Sequence, residues 1–289
     1  MKKFCLVVTF FSLILSGFGQ SANTAFVDSF NRSYALAITN GTLTPCTGCA
    51  SPISYGVVTS NSASGSVITA VTTSPDYYLK FSRPSSGVPG RTYVTGSLDT
   101  FKTYNKILKN NIGLVSWYFN MRHNRAGSTF LAMTGFDSSL YGTATVLVST
   151  SSNLLDTNTK GYAVVMGGVG TGQTYDLVSF SKGLGKNSSL TPLITGLTLG
   201  VGNPTYPFRN VVSIKVTYNP FTNEWRMYQR DEGVPTVYPS PLTVSDSSLV
   251  GSTTSSFQTG VSMSHFGFMM NYGVDATTTN SYFDNFRCT

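Results

Sequence analysis

The residues able to do acid–base or nucleophilic chemistry are few. His123 and His265 are the only imidazoles among 289 residues, and Glu224 and Glu232 are the only glutamates. A retaining glycosidase strand of the Glu-x-Asp-x-x-Glu type needs carboxylates alternating into one cleft. No such run exists here. Glu224 and Glu232 sit eight residues apart at hairpin turns at the two ends of a strand, and the adjacent Asp231 and Glu232 diverge. Serine-hydrolase chemistry lacks its Gly-x-Ser-x-Gly elbow, so both histidines read as structural or surface groups. Tyr118, Arg122 and His123 carry the groups a polysaccharide lyase uses, but in no recognised spacing. The run GGVGTG at 167–172 lacks the Lys-Ser/Thr of a phosphate loop and has no helix after it, so it reads as a strand connection.

Two further groups could bind rather than react. Cys46 and Cys49 form a Cys-x-x-Cys among Thr, Pro and Gly. That turn composition suits a local disulfide, or half of two longer ones, better than a redox pair at a helix start. Cys288 makes the count odd once Cys5 leaves with a leader, so one thiol stays unpaired or reaches another chain. Asp28, Asp284 and Asn285 converge if the first and last strands pair, and their hard oxygens would then suit calcium. The competing reading is that they satisfy backbone donors at strand ends. No other cofactor is expected.

Aromatic side chains carry the binding argument. In Ile112–His123, Val115, Trp117, Phe119 and Met121 fall on one face, and Ser116, Tyr118, Asn120 and Arg122 on the other. The first set reads as core. The second joins an aromatic plate to hydrogen-bonding groups, as a sugar ring requires. Arg226, Tyr228 and Arg230 form a similar outward row, opposite Trp225 and Met227. Ordinary sandwich surface is the alternative reading of both rows.

The elements that must position these residues are strands. Val212, Ile214, Val216 and Tyr218 alternate with polar residues up to the turn Asn219–Asn223, after which Trp225 and Met227 alternate again, a hairpin pattern. Similar runs occur at Ala25–Ser33, Ser54–Ser60, Ser66–Thr72, Asp76–Ser82, Ile112–His123 and Thr129–Gly135, then at Thr143–Ser149, Gly161–Gly167, Thr174–Ser181, Gly260–Tyr272 and Ser281–Cys288. One short helix or helical loop is expected over Ser97–Asn110, where Phe101, Tyr104 and Leu108 share a stripe. More than ten strands without alternating helices predict an all-β, two-sheet antiparallel jelly-roll sandwich.

The N-terminus reads as a secretory signal over residues 1–19, with Lys2 and Lys3, an apolar run from Cys5 to Leu15 and a small-residue site at Ser16–Gly19. Residues 20–289 then form a single domain, secreted to the medium or the cell surface after cleavage near Gly19. The apolar run is too short for a transmembrane anchor. Loss of Lys2 and Lys3 leaves 17 basic against 12 acidic residues, a charge of +5, and the basic residues are scattered. Nucleic-acid binding requires clustering, so it is not expected; Lys102, Lys106 and Lys109 read as a solvated face.

FVDSFNRS near the start, GYAVVMGG and YDLVSFSKGL at Gly161–Leu184, the VSIKVTYNPFTNEWRMYQRDEG hairpin and the closing YFDNFR together resemble the concanavalin A-like lectin/glucanase jelly roll, in the laminin-G-like form of secreted bacterial proteins. The resemblance covers nearly all of the mature chain. It implies two antiparallel sheets and a concave face or rim that often binds glycan, and it carries no catalytic residue across. The expected function is therefore non-catalytic binding of a polysaccharide or cell-surface glycan through Tyr118, Asn120, Arg122, Arg226, Tyr228 and Arg230. A glycoside hydrolase or polysaccharide lyase with a dispersed site, and a structural part of a surface assembly tethered through the odd cysteine, are the alternatives.

Overall fold

The computed structural model describes residues 26–28, 42–43, 55–60, 67–71, 78–82, 90–99, 101, 104–125, 142–166, 174–185, 189–197, 210–272 and 279–289. The leader at 1–19, Cys46, Cys49, the strand expected at Thr129–Gly135 and the glycine run at 167–172 lie outside them. The regular structure of the described residues is almost wholly strand: β1 (Phe26–Asp28), β2 (Thr42–Leu43), β3 (Tyr55–Ser60), β4 (Val67–Val71), β5 (Tyr78–Ser82), β6 (Gly90–Ser97), β7 (Val115–Arg125) and β8 (Thr143–Ser149), then β9 (Gly161–Met166), β10 (Tyr175–Phe180), β11 (Leu190–Ile194), β12 (Val212–Asn219), β13 (Glu224–Asp231), β14 (Leu249–Thr254), β15 (His265–Tyr272) and β16 (Thr279–Cys288). Two antiparallel sheets result. One runs β14-β13-β12-β7-β16-β5-β4 with β1 also on β16, and the other β11-β10-β9-β8-β15-β6-β3-β2. The chain crosses repeatedly between them, and β15 and β16 slot between β6 and β8 and between β5 and β7. That nesting makes the sandwich a jelly roll.

Alternation decides what lies between the sheets. Trp117, Phe119 and Met121 of β7 and Val212, Ile214, Val216 and Tyr218 of β12 meet Tyr162, Val164, Phe266 and Phe268 of the opposing sheet, all buried. Trp117 stacks on Trp225 at 6.0 Å and 9°, and Tyr162 sits 4.3 Å from Trp225. The hairpin forms where the pattern placed it, with Val212 opposite Asp231 and Asn219 opposite Glu224. Asn223 takes the left-handed conformation the turn needs, at φ 54°. The first and last strands do pair, Phe26 with Cys288 and Asp28 with Phe286. In β16 the register shifts between Asp284 and Arg287, with Asn285 at φ 53°. This bulge changes the parity, so Phe283 and Phe286 both reach the core despite their spacing.

The segment Ser97–Asn110 corrects the helical expectation. Ser97 closes β6, and the only helical turn described there is a 3-10 turn at Leu108–Asn110. Tyr104 and Leu108 are nevertheless buried in the core with Phe101 packed against it; an apolar stripe specifies burial, and a loop pinned at several points delivers it as well as a helix.

Candidate functional site

Both outward rows named by the sequence lie on the outer face of the β7-containing sheet, side by side across β12. Lys215 is opposite Tyr118 on one side and Tyr228 on the other; Thr217 lies between Ser116 and Arg226; Ser213 lies between Asn120 and Arg230. The strand order thus brings the two rows together. It does not leave them open. The segment after β13 returns over this face, with 3-10 turns at Pro241–Thr243 and Asp246–Ser248 packed on β7, β12 and β13. Arg230 fastens it, donating to Thr243 O at 3.0 Å and Thr243 Oγ1 at 2.9 Å while pairing with Glu232 at 2.7 Å. Tyr238 of the same segment is buried against Val211 and Tyr282.

Three of the proposed sugar contacts are corrected by their surroundings. Asn120 has no exposure, and its amide is spent, donating to Ser213 Oγ at 2.9 Å and accepting from Asn285 Nδ2 at 2.8 Å. Tyr228 is 5% exposed beneath Lys215, whose Nζ lies 4.5 Å from its ring centroid. Arg230 is the fastener just described. Arg122 is half-buried, with its guanidinium 5.1 Å from the Tyr282 ring. Tyr118 is half-buried and Arg226 exposed. On the opposite sheet, Leu154 and Leu184 from its loops and Leu190 of β11 pack with Tyr93, Val146, Ala163 and Met269 as a second apolar cluster.

The residues set aside for metal or thiol chemistry are also placed. Asp284 is 2% exposed and accepts from the Asn285 backbone N–H at 2.7 Å and Asn285 Nδ2 at 3.0 Å. Those bonds serve the bulge, in line with the competing reading of Asp and Asn at strand ends. The side chain of Asp28 lies outside the described residues, and among those described no group of three His, Cys, Asp or Glu could hold a metal. Cys288 is a free thiol buried in the core, and burial pushes its pKa far up. It is not a disulfide partner and is not placed to reach another chain, which corrects its role as a tether. The pairing of Cys46 with Cys49 falls outside the described residues.

Among the described residues, an open rim lies at the end of the sandwich where β12 turns into β13. Here the loop from β6 to β7 is stitched to the segment before β15 by the Ile107–Ser262 bridge and by Met263 N donating to Lys106 O at 2.8 Å. Asn105 and Asn111 lock the loop internally. Asn111 Oδ1 accepts from Asn105 N, and its Nδ2 donates to Asn105 O and Leu108 O, each at 3.0 Å. A groove of about 570 Å³ results, walled by Asn105, Asn110, Asn111, Ile112 and Ser262 and closed at one edge by Lys106. The Asn110 carboxamide and the Ser262 hydroxyl make no hydrogen bond among the described residues, while Ile112 is 80% exposed. Lys106 is held by Asp99, whose carboxyl it keeps below the ordinary range. Behind it, His265 Nδ1 meets Ser264 Oγ at 2.8 Å, and partial burial lowers the imidazole pKa.

A smaller depression of about 180 Å³ lies on the same rim, lined by Leu114, Thr217, Asn219, Glu224, Arg226 and Tyr228. Glu224 takes Arg226 in a two-point contact, Nε–Oε1 at 2.9 Å and Nη2–Oε2 at 3.1 Å. Phe221, at the hairpin tip two residues from Asn219, is 76% exposed. Apart from Glu224, weighed in the sequence as a carboxylate, and Arg226 and Tyr228, none of these residues stands out in the sequence. One signal was there: a phenylalanine in an Asn-Pro turn, where turn chemistry asks for no aromatic.

No family model matches the chain, and no curated protein matches it. Among solved structures, lectin II from Ulex europaeus is similar at 9% identity and a TM-score of 0.44, over 88% of this chain and 99% of that one. Peanut lectin, determined with a 9-residue peptide, is similar at 9% identity and a TM-score of 0.41, over 89% and 98%. The binding domain of botulinum neurotoxin DC, in complex with rat synaptotagmin II, is similar at 13% and 0.44, over 86% of this chain and 48% of that one, so the chain spans about half its length. At these scores none of the likenesses bears on a ligand. The two-sheet antiparallel jelly roll stands on the strand order and paired terminal strands already described.

Proposed function

We propose that this chain is a secreted, non-catalytic carbohydrate-binding protein that holds a polysaccharide at the rim groove rather than on a sheet face. The observation that carries this reading is the groove itself. It offers unspent hydrogen-bonding groups, Asn110 and Ser262, beside the exposed aliphatic Ile112. A sugar presents hydroxyls and a C–H face at once, and needs that combination. The absence of a catalytic role is supported by how the carboxylates are engaged: Glu224 by Arg226, Glu232 by Arg230 and Asp99 by Lys106. Secretion rests on the leader-like N-terminus.

The test is retention of the purified mature chain on a panel of insoluble and soluble polysaccharides. Asn110→Ala combined with Ser262→Ala should weaken retention about tenfold, the scale of one to two hydrogen bonds of this kind. Arg230→Ala, beneath the covered face, should leave it unchanged. Absence of retention on every polysaccharide would refute the proposal.

A further inference from the structure

We infer that the groove and the smaller depression are two parts of one elongated site, which takes an internal segment of an uncharged polysaccharide, with Phe221 as its outer stacking plate. This rests on the carbohydrate reading above and extends it to the kind of glycan. Ile112 lines the groove and Leu114 lines the depression, 80% and 55% exposed. Two residues span at most about 7 Å, so the two hollows meet at a single apolar ridge. A ligand confined to one hollow would leave the ridge and the Phe221 ring bare in water. A chain lying across both would cover Ile112 and Leu114 with its C–H faces and reach the hairpin tip.

Charge selects the class of chain. The sequence is basic overall, at +7 with the leader, and a uronate or sulfated polymer would be the simple electrostatic partner. The rim contradicts that expectation. Lys106 is the charged group lining the groove, and Asp99 neutralises it. Glu224 and Arg226 are those lining the depression, and they neutralise each other. An anionic sugar would have to break one of these pairs, whereas hydroxyls can bridge the planar Arg226–Glu224 contact without disturbing it. Neutral hydroxyls and amides therefore match the lining.

The experiment titrates the mature chain with ladders of neutral β-glucan and mannan oligosaccharides, from disaccharide to hexasaccharide, and with polygalacturonate and heparin, each at low and high NaCl. Expected is binding to a neutral ladder that strengthens at least tenfold with length and is unchanged by salt. Phe221→Ala and Leu114→Asp, both at exposed positions, should remove about tenfold of the affinity for the hexasaccharide and leave the disaccharide unaffected. Equal affinity at all lengths, or no effect of either variant, would overturn the elongated site while leaving a glycan-binding groove in place. Salt-sensitive binding confined to polygalacturonate or heparin would overturn the neutral class alone. No binding to any sugar would remove both this inference and the reading beneath it.

Discussion

Cys288 shows how much a single residue's surroundings decide. In sequence it was the odd thiol of a chain read as secreted, open to pairing with another chain. Its strand places it opposite Trp117 and Phe26 in the core, where a thiol behaves as a small hydrophobe and the thiolate that would react is strongly disfavoured. Native protein should therefore resist alkylation at Cys288, mapped by mass spectrometry, and label fully once unfolded. Rapid native labelling would show that the terminal strand opens readily. Cys288→Ser should cost about 1–3 kcal/mol in denaturant unfolding, because the hydroxyl has no partner to replace water.

Elements account for what the sequence made legible and what it hid. The β12–β13 hairpin was readable because alternation and turn chemistry agree on the same residues, from Val212 to Asp231. β6 carries no legible strand pattern. Gly90 and Gly96 interrupt its pattern, and Ser97 also suits a helix cap, yet Tyr93 and Val94 are buried on opposite faces. β14 escaped as an exposed edge strand of Gly, Ser and Thr. The outward rows were legible as rows, but alternation states which face a side chain is on and never what later folds over it. The cover at 232–248 comes from residues with no strand or helix pattern, held by Arg230. Arg230→Ala should cost about 1–2 kcal/mol, with the loss concentrated in that segment. Hydrogen exchange should accelerate at 238–248 and stay slow in β12. Unchanged exchange there would place the hold of the cover on Tyr238 rather than on the guanidinium.

At the scale of the whole molecule, the sandwich depends on buried groups staying neutral. Burial raises the pKa of Tyr104, Tyr162 and Tyr238, and that of the Cys288 thiol, above their ordinary values of 10.0 and 9.0. A group whose pKa is higher folded than unfolded binds its proton more tightly when folded. Its contribution is complete below the unfolded pKa and is lost as pH rises above it. The thiol begins this loss near pH 9 and the phenols near pH 10, each at about 1.4 kcal/mol per pH unit. Several such groups acting together remove a typical stability of about 5–15 kcal/mol within two or three pH units. Denaturant stability should therefore be level from pH 7 to 8.5 and fall with increasing slope above 9. Tyrosinate absorbance should then rise in two stages, exposed phenols near pH 10 and the buried ones only with cooperative loss of the near-ultraviolet signal. Cys288→Ala should delay the onset by about one pH unit even if it lowers the plateau, because the phenols alone would then set it. A smooth titration of all 16 tyrosines near pH 10 in a protein that stays folded would mean that water reaches the inner rings, and that the two sheets are held together less tightly than the Tyr162–Trp225 contact between them implies.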